Sequence, residues 1–181
     1  MLKFLSFGSG SSGNCYILFT GADCLMIDCG VGIRTLKKHF YNYGLQMSMI
    51  HHILITHDHA DHVKSVGSIS GDLQLPVYAT DGTLKGIRNN WCVRRKIGTK
   101  LTHTINKGEE IQLGEFKVVA FEVPHDSTDC VGYSIEHDGV RFTLVTDCGH
   151  ITEDIAHYIS ISNYLVIEAN HEPEKLAAGP Y

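Results

Sequence analysis

The chain has 181 residues, of which 43% are hydrophobic and 19% charged, and its formal net charge is −5. This length supports one well-buried core and is short for two full domains, so we expect a single domain over 1–181. The negative charge excludes a broadly basic nucleic-acid coat, although metal ions would add positive charge that a residue count omits. Its apolar stretches are too short to span a bilayer, which excludes an integral membrane protein.

Cysteine usage and the first residues bear on the cellular compartment. Six cysteines occur without a CxxC pair, and the opening residues MLKFLSFG contain too short an apolar run for a signal peptide. We therefore expect a reduced, cytoplasmic protein whose cysteines mostly fill the core, with no obligate protein partner evident. Cys29 and Cys148 stand beside carboxylates, so a role as soft metal ligands is the alternative for these two.

The first half of the chain alternates strands and helices. Its strands are predicted at 2–7, 15–19, 24–27, 50–55 and 76–79. Helices are predicted at 33–43, at about 63–69 and from Asp81, which is a suitable N-cap. The Gly- and Ser-rich loop 8–14 lacks the pattern of a nucleotide P-loop. It is either a plain turn or a place where the backbone closely approaches a phosphate or a metal site.

Strands dominate the second half. They are predicted at 109–113, 116–122, 132–136, 141–146 and 164–167, with one helix at 153–159 that begins after Thr152. Asp138-Gly139 lies between two alternating runs and predicts a hairpin turn. Strands mixed with helices indicate an α/β or α+β sandwich.

One compact group of cations surrounds an aromatic residue between the two halves. It contains Trp91, Arg94, Arg95, Lys96 and Lys100. Such a group grips a nucleic-acid backbone in some proteins, and the alternative is an ordinary solvated loop.

The densest chemistry is the run THDHADH at 56–62, which directly follows the apolar segment 53–55. In an extended chain, His57 and His59 point the same way because they are two residues apart. Imidazoles and carboxylates this close together suit the ligands of two adjacent metal ions. Three other predicted strands also end in residues that bind metals, namely Asp28, His125 and Asp147.

These motifs together resemble the metallo-β-lactamase superfamily over essentially the whole chain. The resemblance implies an αββα sandwich with a two-metal site along one edge. It implies that one metal is held by His57, His59 and His125, the second by Asp61 and His62, and that Asp147 bridges both. It also implies that Asp28 hydrogen-bonds to the cluster and orients it.

The resemblance departs from the family pattern near the end of the chain. Family members carry a late histidine that completes the second metal site, and here only His171 is available. We expect the final ligand to lie beyond Tyr181, so that the C-terminal part of the domain is incomplete and the second site is weaker. His171 as the substitute ligand is the alternative.

Four segments narrow the resemblance to the YycJ/WalJ-type branch, which is assigned as 5′-to-3′ DNA exonuclease. They are FGSGSSGNCY at 7–16, PHDS at 124–127, TDCG at 146–149 and EANH at 168–171. The branch implies a metal-dependent phosphodiesterase with DNA as its substrate and two divalent ions, zinc or manganese, with iron as a further option.

Catalytic roles follow from this interpretation. Asp61 would orient the attacking water or accept its proton. Candidates for proton donation or substrate contact are Asp126, His171, Ser9 and Asn14. Two other functions remain open: hydrolysis of a small ester, thioester or lactam, and a non-catalytic regulatory or binding role.

Overall fold

The computed structural model describes residues 1–168, and His171 lies outside them. A first sheet has six strands, which lie in the order in which they occur along the chain. They are β1 (Lys3–Gly8), β2 (Cys15–Phe19), β3 (Cys24–Ile27), β4 (His52–Leu54), β5 (Val77–Ala79) and β6 (Thr102–Thr104). The strands β1 to β3 are antiparallel, and the strands from β3 to β6 are parallel.

A second sheet contains five strands in the order β11-β10-β9-β8-β7. They are β7 (Glu110–Leu113), β8 (Phe116–Glu122), β9 (Val131–His137), β10 (Val140–Val145) and β11 (Tyr164–Ile167). All neighbours are antiparallel except β10 and β11, which run parallel.

Helices cover the outer faces of both sheets. They are α1 (Ile33–Asn42), α2 (Ala60–Val63), α3 (Val66–Leu73), α4 (Asp81–Asn89) and α5 (Glu153–Ser160). No helix in the described part of the chain is long and apolar enough to cross a membrane.

The core explains why β2 and β3 are apolar along their whole length. Alternate residues face opposite sides of a sheet, so Ile17 and Met26 pack beneath the helices, whereas Leu18 and Leu25 pack between the sheets. On the far side, Ile155 of α5 packs against the second sheet. These layers confirm the predicted αββα sandwich.

Most predicted elements occur within a few residues of their expected bounds, and the turn at Asp138-Gly139 has the two positive φ angles, 51° and 75°, of a tight hairpin. One prediction was wrong in detail. The N-cap of α4 is Thr80, whose hydroxyl accepts a hydrogen bond from the Thr83 backbone N–H at 3.3 Å. Asp81 lies within the first turn, where its carboxylate pairs with Lys85 at 2.6 Å.

The helix predicted at about 63–69 is also different in the structure. The chain forms two short helices, α2 and α3, which are separated at 64–65. The first of them begins inside the histidine run, so that Asp61 and His62 are helical. Tertiary contacts of the run therefore override the local pattern.

Strand direction brings the polar strand ends to one edge of the sandwich. The strands β3 and β4 are parallel, and the backbone N–H of Asp28 donates to the Leu54 carbonyl at 2.9 Å. The two sheets meet at the same edge, where the Val131 N–H donates to the Thr56 carbonyl at 3.1 Å. The strands β8 and β10 both run antiparallel to β9, so their C-terminal ends also share an edge.

Tyr133 provides a test of how this edge is supported. It is fully buried, and its hydroxyl donates to the Ile55 carbonyl at 2.6 Å, one residue before the histidine run. We expect Tyr133→Phe to lower the free energy of unfolding by about 1–3 kcal/mol, because the carbonyl loses its partner in a dry core. Urea denaturation measures this difference. Tyr41→Phe is the control, since Tyr41 is 83% exposed, and equal midpoints for both variants would contradict the expectation.

Candidate metal centre

Three imidazoles converge at the edge of the sandwich. His57, His59 and His125 each offer a ring nitrogen, and these atoms all lie within 4.8 Å of one another. His125 Nε2 and His59 Nδ1 are 3.2 Å apart. Two nitrogens bound to one tetrahedral zinc at about 2.0–2.1 Å would be separated by about 3.3 Å. The spacing of these two rings therefore fits a shared metal ion.

The His57 side chain provides an independent test of this fit. Its Nδ1 lies 3.0 Å from the Thr56 hydroxyl, whereas its Nε2 is buried and has no hydrogen-bond partner among the described residues. A buried polar atom without a partner is costly, and a metal ion is the partner that these surroundings suit. Burial and the nearby charge of His62 lower the pKa of His57 to about 2, so the ring is neutral, as ligation requires.

A second group adjoins the first through His57. The ligand atoms of His57, His62 and Asp147 also lie within 4.8 Å of one another, and His62 Nε2 is 3.1 Å from Asp147 Oδ2. Asp61 lies beside this group, with its Oδ2 3.6 Å from His62 Nε2. We call the five residues of the two groups the His/Asp cluster: His57, His59, His62, His125 and Asp147.

Asp28 lies directly behind the His/Asp cluster and is completely buried. Its Oδ2 accepts a hydrogen bond from His62 Nδ1 at 2.8 Å. The backbone N–H and the hydroxyl of Thr56 also donate to this carboxylate, at 2.9–3.1 Å. Because Nδ1 of His62 carries the proton toward Asp28, Nε2 is left to face the cluster. Asp28 thus makes a hydrogen bond to a member of the cluster, and its orienting role stays a prediction.

Two site carboxylates have left-handed backbone conformations. The φ angle is 61° at Asp28, directly after β3, and 53° at Asp147, two residues after the end of β10. This conformation costs an L-residue roughly 1–2 kcal/mol, so the surroundings must hold it. Asp147 is held by its N–H, which donates to the Glu168 carboxylate at 2.6 Å.

The loop 8–14 closely approaches the cluster. Asn14 Nδ2 lies 2.8 Å from His62 Nε2 and 3.2 Å from Asp61 Oδ2. The Asn14 N–H donates to the Asp61 carbonyl at 2.7 Å, and Gly30 packs against the same carbonyl. A Cβ on Gly30 would lie 1.4 Å from that oxygen, so only glycine fits. Of the two expectations for this loop, the structure favours close approach to the metal site.

A cavity of about 660 Å³ opens beside the cluster. Asp61 and Asp147 contribute to its wall on the metal side, and Ser9, Asn14 and Glu168 contribute elsewhere. A cleft of this size is typical of a ligand site. The predicted substrate-contact residues Ser9 and Asn14 therefore share one cavity with the carboxylate of Asp61.

The remaining candidates lie in different surroundings. The side chain of Asp126 is 81% exposed, and its Oδ1 is 3.2 Å from His125 Nδ1, the ring atom opposite the one that faces the cluster. Burial raises the pKa of the Cys29 thiol well above its usual value, which fits packing rather than ligation. The Cys148 thiol donates to the His150 carbonyl at 3.1 Å.

The residues that hold the site in place through hydrogen bonds were not identified from the sequence. Thr56 links Asp28 to His57, and Glu168 holds the backbone of Asp147. Asp58 lies between two histidines of the run, and its carboxylate accepts a hydrogen bond from the Thr128 hydroxyl at 2.7 Å. The direction of this side chain could have been predicted, because successive side chains in an extended segment point to opposite sides and Asp58 therefore points away from the cluster.

Comparisons with known proteins concern the family and the fold of the chain. Residues 24–178 match the family described as "Beta-lactamase superfamily domain". The chain is 29% identical over 180 residues to "Exodeoxyribonuclease YycJ" of Bacillus anthracis, covering 99% of this chain and 67% of that protein. It is 28% identical over 179 residues to "Exodeoxyribonuclease WalJ" of Streptococcus pneumoniae, covering 99% and 66%. The chain thus spans about two thirds of the length of these relatives.

A solved structure supports the fold. Zinc-bound PqqB from Methylobacterium extorquens superimposes with a TM-score of 0.76 at 20% identity, covering 92% of this chain and 64% of that one. At this level of identity the likeness concerns the fold alone.

Asp28→Asn tests the orienting contact. An amide presents only one acceptor oxygen to His62 and Thr56, so we expect zinc affinity to fall about 10–100-fold. Competition with a coloured chelator measures the affinity, and circular dichroism checks the fold. Asp72→Asn is the control, because Asp72 is exposed and pairs with Arg95. Unchanged zinc affinity in Asp28→Asn would refute the orienting role.

Proton release on metal binding tests the electrostatics of His62. Burial alone would lower its pKa, but the charges of Asp28 and Asp147 raise the pKa to about 10. Zinc must displace this proton, so binding near pH 8 should release about one proton, and affinity should fall about tenfold for each pH unit below the pKa. Calorimetry in buffers of different ionisation enthalpy measures the release. A binding heat that is independent of the buffer would count against it.

Proposed function

Because the chain belongs to the family of the beta-lactamase superfamily domain, we propose that it is a metal-dependent phosphodiesterase that degrades DNA from a 5′ end. The observation that carries the proposal is similarity along almost the whole chain to two relatives named exodeoxyribonucleases. The His/Asp cluster supports it, since phosphodiester hydrolysis is chemistry for which paired divalent ions are suited. The six free thiols support the proposed cytoplasmic location.

We assign two divalent ions to the centre. The first would be held by His57, His59 and His125, and the second by Asp61 and His62, with Asp147 shared between them. Imidazoles favour zinc and iron, whereas carboxylates also suit manganese, so zinc or manganese is the proposed metal and iron the further option. When bound, these ions would activate water and neutralise charge on the phosphoryl oxygens.

Asp61 is the proposed proton acceptor. Its side chain is 29% exposed, contributes to the cavity wall and accepts a hydrogen bond from Asn14. As the water oxygen bonds to phosphorus, its proton would pass to the Asp61 carboxylate while the bond to the leaving oxygen breaks.

Other residues would position the substrate and complete proton transfer. The amide of Asn14 is held by the Gly10 N–H, which donates to its Oδ1 at 2.8 Å, and Ser9 lies exposed on the same cavity. We assign Ser9 and Asn14 to phosphate contact. Asp126, which is largely exposed, and His171 are the proposed donors to the leaving oxygen.

The cavity favours one second candidate. A volume of about 660 Å³ accommodates a small ester, thioester or lactam as readily as a nucleotide. This function would use the same metal ligands without any affinity for polynucleotides. A purely regulatory or binding role fits less well, because it would not require the two groups of ligand atoms to converge.

Hydrolysis of end-labelled DNA tests the proposal. We expect the chain with zinc or manganese to shorten the strand from its 5′ end, and Asp61→Ala to lower kcat by at least about 100-fold because a proposed metal ligand and the proposed proton acceptor are lost together. Gel analysis of time courses measures the rate. Asp154→Ala, an exposed carboxylate on α5, is the matched control.

Two results would contradict parts of this proposal. Equal cleavage by the original chain and Asp61→Ala would mean that Asp61 has no catalytic role. Hydrolysis of small esters without DNA cleavage would favour the second candidate.

A further inference from the structure

We propose that a single DNA strand rests on a second contact surface before its end enters the metal centre. This surface, which we call the Trp91 surface, consists of Trp91, Arg88, Arg94, Lys96 and Lys100. The inference rests on the proposed function, because it assigns a path to the substrate of that site. Of the two expectations for this basic segment, it adopts the nucleic-acid grip rather than the solvated loop.

Trp91 is the first reason. Its side chain is 86% exposed, the largest aromatic surface that the described residues present to solvent. An aromatic ring among cations is the arrangement on which unpaired bases stack, because every base has a flat π-face. The same ring offers little to a DNA duplex, whose bases are already stacked.

Charge is the second reason. Arg88, Arg94, Lys96 and Lys100 are exposed and form no ion pair with any of residues 1–168, whereas the neighbouring Arg95 pairs with Asp72. Arg88 and Lys96 line one groove of about 190 Å³, which also includes Leu84 and Ile87 of α4. In a chain of net charge −5, such a group of uncompensated cations suits a phosphate backbone.

The third reason is that the loop after α4, which carries Trp91, is hydrogen-bonded to the histidine run. Asn90 Nδ2 donates to the Asp58 carbonyl at 2.7 Å, and Asp58 lies between two proposed metal ligands. Lys96 Nζ in turn donates to the Asn90 carbonyl at 2.7 Å. The loop that carries Trp91 is therefore positioned by the same segment that positions His57 and His59.

The helix α4 links the groove to the histidine run. Gly86 packs against the Asp58 carboxylate, and Asn90 just after the helix donates to the Asp58 carbonyl. Ile87 and Arg88 of the same helix line the groove. The groove and the histidine run are therefore held by one element.

A similar group elsewhere provides a matched control. Tyr41 of α1 is 83% exposed, and Lys37 and Lys38 are exposed on the same helix. Tyr41 lies near the C-terminal end of α1, about 13 Å along the helix axis from Gly32, which follows the site residues 28–30. Its chemistry resembles that of the Trp91 surface, but it lies at the end of the helix remote from the cluster.

The experiment uses the only tryptophan of the chain as its own reporter. The protein is titrated with a thymidine 12-mer in EDTA, so that no hydrolysis occurs, and Trp91 fluorescence is followed at several salt concentrations. We expect saturable quenching, and no quenching by a blunt 12-base-pair duplex. Anisotropy of the labelled 12-mer gives affinities for the variants.

We expect Trp91→Ala to weaken binding about tenfold and Trp91→Phe to retain most of the affinity. Replacing both Arg94 and Lys96 with Gln should reduce the slope of log affinity against log salt by about 1.4. Tyr41→Ala, and the double change Lys37→Gln and Lys38→Gln, should leave affinity unchanged.

The outcomes separate this inference from the proposed function. Absence of quenching, or equal affinity losses in Trp91→Ala and Tyr41→Ala, would overturn the Trp91 surface even if the chain hydrolyses DNA. Saturable quenching that weakens with salt, together with an affinity loss in Trp91→Ala that Tyr41→Ala does not share, supports the surface, and hydrolysis is then judged by the DNA-shortening assay alone.

Discussion

The buried carboxylate of Asp28 is the interaction on which the site depends. It accepts hydrogen bonds from Thr56 and His62, and Thr56 in turn contacts His57. Burying a charge costs several kcal/mol unless hydrogen-bond donors surround it. Here the donors are the Thr56 N–H, the Thr56 hydroxyl and His62 Nδ1. The ends of β3 and β4 are thereby joined by one carboxylate, and two imidazoles are oriented in the same network. The same contacts that join the first sheet therefore also position two of the proposed metal ligands.

Much of the fold could be predicted because its strands are short apolar runs bounded by turn residues. The bounds of β2, β3, β8 and β11 agree with the sequence pattern. Local signals failed where several residues compete for one role. Thr80 and Asp81 are both good N-caps, and only the hydrogen bond to Thr83 shows which one acts. The break between α2 and α3 was not predictable, since it lies where the Ser65 N–H donates to the Cys29 carbonyl, a contact that only the tertiary structure creates.

The candidate site was predictable to the extent that its residues stand at strand ends. The grouping of His57, His59 and His125 was implied by the family resemblance and agrees with their positions after apolar strands, but the strand directions that bring them together appear only in the structure. The residues that hold the ligands in place through hydrogen bonds could not be recognised from the sequence pattern. Thr56, Asn90 and Glu168 act through single hydrogen bonds to residues that the fold brings near, and neither periodicity nor composition encodes such contacts. Their identification required the tertiary structure.

The alternation of side-chain direction along residues 57–59 also limits which insertions and deletions this segment tolerates. His57 and His59 face the His/Asp cluster, while Asp58 between them faces Thr128 and α4. Inserting or deleting one residue would exchange the two faces and bring a carboxylate where an imidazole stands. A change in the length of the run would therefore disrupt the proposed metal centre. The loop that follows α4 is anchored along its length, by Asn90 at the run, by the buried Val93 and by the Arg95–Asp72 pair, so variation there is confined to its exposed side chains, such as Trp91 and Arg94.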